Sequence, residues 1–170
     1  MYLDEILEHH RALAAGDHRD VDQLAGQARS MPSTRNFREA IVVASRQHLA
    51  VIAEVKRRSP SKGVLNATLD PIRTAQIYAG GGASCLSVLT DEKFFGGSKS
   101  DLIDARGACT LPVLRKDFIV SISDVCDTRL MGADCILLIA AALSESELAK
   151  FHHFSHEIGI DVLVEIRDET

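Results

Sequence analysis

Apolar and polar positions alternate in blocks along most of this chain. Apolar stretches begin near Val51, Ser84, Pro112, Asp134 and Asp161. Each is short, rich in Val, Ile and Leu, and apolar on both parities, as strands covered on both faces must be. Between them lie segments with helical spacing: Pro71 to Ala79, Ser98 to Gly107, Ile122 to Gly132 and Ser144 to Ile158. Strands that alternate with helices predict a parallel β/α architecture. Before Val51 the pattern is helical only. Leu3, Ile6, Leu7 and Leu13 share one face, Gly16-Asp17 breaks that helix, Val21 to Ala28 forms a second, and a third starts at Asn36. Two segments result: a helical extension over 1–50 and the β/α units over 51–170.

The punctuation agrees with the periodicity. Asp70-Pro71 supplies an N-cap followed by proline at the first helical position. Ser144 and Glu147 have the spacing of a capping box. Gly80, Gly107, Gly132 and Gly159 stand where left-handed residues end helices. A doubly wound sheet and a (β/α)8 barrel both fit such a chain. Polar residues gather at several strand ends: Glu54 and Lys56, Thr90 to Lys93, Arg115 to Asp117, and Glu165. That spread favours the barrel, because a doubly wound fold concentrates its chemistry at one switch point. No glycine-rich dinucleotide fingerprint or phosphate loop follows a strand.

Composition narrows the function. The 170 residues carry a net charge of −5, which does not suit nucleic-acid binding. Lys56, Arg57, Arg58 and Lys62 form a local basic cluster better matched to a small anion. The longest apolar run, Cys135 to Leu143, is too short to span a membrane, and the acidic N-terminus is unlike a signal peptide. The four cysteines contain no Cys-x-x-Cys pair and read as reduced thiols of a cytoplasmic protein, with Cys85 and Cys135 in the core. His152 and His156 share a helix face, but no third ligand accompanies them. A solvated face is the better reading, and no metal is expected.

Residue parity brings the charged strand ends together. Glu54 and Lys56 are two apart and face the same way in a strand. Leu114, Lys116 and Phe118 share a face, as do Leu163 and Glu165. If the β-branched positions meet the helices, Glu54, Lys56, Lys116 and Glu165 converge at one end of the sheet. Paired with one another they are ion pairs; placed around a substrate they are a general acid and a general base.

These residues lie in motifs that resemble a known family. Ile52-Ala-Glu-Val-Lys-Arg-Arg-Ser-Pro-Ser-Lys-Gly63, Ser87-Val-Leu-Thr-Asp-Glu-Lys-Phe-Phe-Gly-Gly-Ser98, Pro112-Val-Leu-Arg-Lys-Asp-Phe118, Gly132-Ala-Asp-Cys-Ile-Leu-Leu-Ile139 and Asp161-Val-Leu-Val-Glu-Ile166 resemble, in order and spacing, the strand motifs of indole-3-glycerol phosphate synthase. The resemblance implies a (β/α)8 TIM barrel, here ending after strand five, with an N-terminal helical extension. It implies an enzyme of tryptophan biosynthesis acting on a small phosphosugar-anthranilate substrate without cofactor. Lys116 would be the general acid and Glu165 the general base. Lys56 would contact the substrate carboxylate and assist proton transfer, and Glu54 would position Lys56. Ser59 would lie beside the substrate, and Leu89, Phe95, Phe118, Leu137 and Ile139 would hold the anthranilate ring.

That family has three further β/α units, which supply most of the phosphate grip. A chain with five is expected to be inactive alone and to associate through its outer strands. The rival readings are a half-barrel that only binds a partner, and another barrel enzyme of the same pathway, such as phosphoribosylanthranilate isomerase. The Glu-x-Lys pair and the lysine of Arg-Lys-Asp-Phe favour the synthase.

Overall fold

Three helices open the chain in the computed structural model, which describes residues 2–166. They are α1 (Tyr2–Ala15), α2 (Val21–Arg29) and α3 (Phe37–Ser45). Strand β1 (Ile52–Val55) follows, and then a small hairpin of β2 (Arg58–Ser59) and β3 (Gly63–Val64). The regular alternation comes next: α4 (Pro71–Gly80), β4 (Cys85–Leu89), α5 (Lys99–Ala108), β5 (Val113–Lys116), α6 (Ile122–Leu130), β6 (Cys135–Ile139), a 3₁₀ turn (Ala140–Ala142), α7 (Glu145–Glu157) and β7 (Asp161–Glu165). The last stretch of the second expected segment, 167–170, lies outside the described residues. Among the described residues no helix is long and apolar enough to cross a membrane.

The five long strands form one sheet in the order β1-β4-β5-β6-β7, every pair parallel. Each strand therefore pairs with the next one in its β/α series, and the order never reverses. A doubly wound sheet needs such a reversal, so this is the run of a (β/α) barrel. One sheet face packs under the helices. Val55, Leu86, Val88, Val113, Ile136 and Leu138 meet Ala75, Leu102, Ala105, Val125 and Phe151 there. The other face carries a smaller cluster of Cys85, Leu114, Cys135 and Leu137, floored by Phe37 of α3. The helical extension thus contributes to both cores, with Leu24, Ala25 and Ala28 of α2 in the larger one.

A buried polar knot fixes the lower end of the sheet, where the strands begin. The Asp134 carboxylate has no exposure and accepts from the amides of Arg35 (2.8 Å) and Val113 (2.9 Å) and from the Arg106 guanidinium (2.8 and 3.1 Å). Such a charge is tolerable only when every lone pair is used, as here. Arg35 also donates to the carbonyls of Arg106, Cys109 and Leu111.

Those three bonds explain one departure from the sequence expectation. Gly107 lies inside α5, and no left-handed glycine ends that helix, because an arginine from the extension satisfies carbonyls at its end. Gly80 is likewise the last residue of α4. The left-handed turn falls two residues later, at Gly82 (φ 86°), where the amides of Gly82 and Ala83 return to the carbonyls of Ala79 and Tyr78. Gly132 and Gly159 take the expected left-handed conformation. Asp70 caps α4 ahead of Pro71, and Ser144 and Glu147 form the reciprocal capping box of α7.

Candidate active site

The strand ends opposite the Asp134 knot carry the charged residues singled out from the sequence. Register sets the positions: Glu54 stands beside Ser87, Ser87 beside Leu114, Leu89 beside Lys116, and Ile139 beside Glu165. Glu54, Ser87, Leu114, Lys116, Leu137, Leu163 and Glu165 line one open concavity of about 390 Å³. The Lys116 Nζ donates to Glu165 Oε2 at 2.7 Å. Lys56 donates to Glu54 across the mouth of β1. The side chains of Lys116 and Glu165 remain 29% and 48% exposed, so this pair sits at an accessible rim and not in a sealed interior.

A second groove of about 580 Å³ adjoins Lys56. Tyr2, Leu3 and Ile6 of α1 form one wall; Lys56, the Ser59 to Lys62 loop, Leu65 and Phe95 form the other. Helix α1 therefore lies over the β1 loop. Phe118 packs against Phe95, with ring centroids 6.2 Å apart. Leu89 is buried, and Ile139 packs with Leu163 against the Leu137 cluster. Of the ten residues singled out from the sequence, Glu54, Lys116, Leu137 and Glu165 line the first concavity and Lys56, Ser59 and Phe95 the second, while Leu89, Phe118 and Ile139 line neither.

The basic cluster divides. Arg57 turns away to the Asp101 carboxylate of α5 and the Leu69 carbonyl. Arg58 donates to the carbonyls of Glu92 and Lys93. Both guanidiniums brace loops, which leaves Lys56 and Lys62 at the groove. The β2–β3 hairpin that holds Ser59 was invisible to periodicity, since its strands are two residues long.

Two buried carboxylates went unrecognised as partners of the site. The Asp91 Oδ1 accepts from the amides of Phe94 (2.7 Å) and Phe95 (2.9 Å). Its Oδ2 meets His10 Nε2 of α1 at 2.9 Å. Burial pushes the Asp91 carboxyl up, but the His10 bond and the two amides outweigh it and hold the group below the usual range. Asp117 accepts from Arg115, Thr90 and the Phe118 amide. The run Thr90 to Lys93 marked a polar strand end, but no local pattern marks His10, whose partner is 81 residues away.

His10, Asp91 and Asp117 bring three ligand-type atoms within 4.8 Å of one another, the one such group among the described residues. A cation there would have to break the His10–Asp91 bond and face the Arg115 guanidinium already on Asp117. The chemistry of this donor set suits a hydrogen-bonded junction better than a metal centre.

Comparison with known proteins agrees with the geometry. Residues 3–170 match the family model described as Indole-3-glycerol phosphate synthase. A protein of that name from Burkholderia ambifaria strain AMMD is 48% identical over 159 residues, covering 86% of this chain and 61% of the relative. Another, from Burkholderia ambifaria strain MC40-6, is 57% identical over 121 residues, covering 71% of this chain and 46% of the relative. The chain spans about half to three-fifths of the length of these relatives.

Proposed function

Because the chain belongs to the indole-3-glycerol phosphate synthase family, we propose that it forms the first five β/α units of a barrel that closes 1-(2-carboxyphenylamino)-1-deoxyribulose 5-phosphate to indole-3-glycerol phosphate. The aromatic carbon bearing the carboxylate attacks the ribulose carbonyl. Lys116 protonates the carbonyl oxygen as the new carbon–carbon bond forms. Carbon dioxide then leaves and restores the aromatic ring. Loss of water completes the indole, with Glu165 taking the proton. Lys56 holds the substrate carboxylate, and Glu54, bonded to Lys56, orients it. Ser59 flanks the substrate. Leu89, Phe95, Phe118, Leu137 and Ile139 surround the anthranilate ring.

The observation that carries this reading is the placement of Glu54, Lys116 and Glu165 around one concave strand-end face, with Lys116 Nζ 2.7 Å from Glu165 Oε2. An acid and a base on separate strands, bonded to each other without substrate, are positioned to act in succession once substrate parts them. The reaction needs no organic cofactor or metal, and its small-molecule substrate belongs to the cytoplasm. We take residues 1–50 as a helical extension, of which α1 borders the groove beside Lys56, and 51–170 as the barrel units. The phosphate grip falls to β/α units outside these 170 residues.

A second reading has its own support. The outer strands expose apolar side chains at Ile52 and Val164, and the residues flanking them do so at Val51 and Ile166. Such edges favour a half-barrel that associates with a second copy or with a complementary barrel segment. Indole formation by the 170-residue chain, alone and with a segment supplying three further β/α units, tests both readings. Turnover is expected only in the mixture. There Lys116→Ala should lower it by about 10³-fold or more while leaving the circular dichroism spectrum intact. Retained activity in that variant would refute the general acid.

A further inference from the structure

We propose that His10 is a positioning residue that sets both phenylalanines of the ring pocket from helix α1. Its imidazole reaches two carboxylates, with Nε2 2.9 Å from Asp91 Oδ2 and 3.9 Å from Asp117 Oδ1. Each carboxylate in turn holds the backbone of a pocket residue. Asp91 Oδ1 binds the amides of Phe94 and Phe95, and Asp117 Oδ1 binds the amide of Phe118 at 2.9 Å. The imidazole also packs on the Phe118 ring, centroids 5.4 Å apart, and Phe118 in turn packs on Phe95. One side chain thus touches the turn that carries Phe95 and the strand end that carries Phe118.

The surroundings favour this use. The two carboxylates are 2% and 4% exposed, so their remaining lone pairs have little access to water. Arg115 neutralises Asp117, which leaves Asp91 as the carboxylate that needs His10. The other charged or titratable groups around the same hollow are His9 on α1, Glu92 and Lys93 on the loop after β4, and Asp124 on α6. The next residue of α1, Arg11, binds Glu147 and the Ala142 carbonyl. The helix is therefore clamped at adjacent positions, which holds the His10 backbone beside Asp91.

The proposal rests on the reading that Phe95 and Phe118 line the substrate pocket, but its test requires no turnover. In the 170-residue chain, His10→Ala should raise amide exchange across 91–97 about tenfold, the effect of losing a hydrogen bond to a charged group. Spectra of the fluorophenylalanine-labelled protein should show the Phe95 and Phe118 signals displaced together. His10→Gln, which keeps an N–H donor, should restore both. If His10→Ala does not fold, His10→Leu keeps the bulk against Phe118 without the donor and is expected to behave as His10→Ala does here. Loosening of α1 with exchange across 91–97 and both fluorine signals unchanged would overturn the proposal, as would failure of His10→Gln to restore them. Absence of indole formation by the unsubstituted chain mixed with the complementing barrel segment, with these readouts intact, would count only against the proposed reaction.

Discussion

Asp134 and the cysteines show how much single residues carry. Asp134→Ala leaves the amides of Arg35 and Val113 without their acceptor and Arg106 without its counter-charge. Removing one member of such a buried pair costs about 3 kcal/mol or more, and the urea midpoint of the variant should fall accordingly. Burial pushes the Cys85 thiol up to about 12 and Cys126 up to about 11, and moves Cys135 in the same direction. A thiol reagent on the native chain should therefore label the half-buried Cys109 first, with the other three reacting only on unfolding. Period-two parity was enough to place Glu54, Lys116 and Glu165 on one face, because strand geometry fixes which way each residue points; Lys56, expected with them, follows the end of β1 and lines the adjoining groove. Parity was silent on His10 and Arg35, whose partners come from distant elements that only the packed fold brings near.

The loop after β4 is the element most constrained by close approach. A Cβ on Gly97 would lie 2.1 Å from the Leu89 carbonyl oxygen, a contact that backbone must move to relieve. Gly97→Ala should displace the turn that presents Phe95. In the reconstituted enzyme it should weaken substrate binding more than it slows the chemical steps, a difference visible as KM rising while kcat changes less. Helix α1 has a different vulnerability. The Arg11 guanidinium, with the Ser144 amide, holds the Glu147 carboxyl down at about 2, well below its ordinary 4.5. The resulting stability is complete above the ordinary value and is lost as pH falls through the lower one; Asp91 acts in the same direction. Glu147→Gln should accordingly lower the urea midpoint at neutral pH and then lose less than the parent between pH 4.5 and about 2. The helices were legible because caps and apolar spacing coincide over many residues, as at Asp70-Pro71 and Ser144 to Glu147. The β2–β3 hairpin was not, since two-residue strands carry no period, and α5 hid its ending because Arg35 supplies it from outside.

At the scale of the molecule, spacing alone left barrel and doubly wound sheet both open. The order β1-β4-β5-β6-β7 separates them, and strand ends polar on several strands were the sequence feature that already leaned that way. The sheet's two outer strands predict concentration-dependent association of the 170-residue chain in sedimentation velocity. A lysine at Val164 on the exposed outer strand should weaken it. The Arg35–Asp134 contact also has a bearing on biosynthesis. Its two partners are 99 residues apart, and at roughly 5–20 residues per second the ribosome needs about 5–20 s to make the second after the first. Through that interval the extension can meet only what β4, α5 and β5 offer, Phe37 reaching Cys85 and Leu114 and Arg35 the carbonyls at the end of α5. Its fastening is complete only when β6 brings Asp134, so the earliest part of the chain to be translated is among the last to be fully fixed.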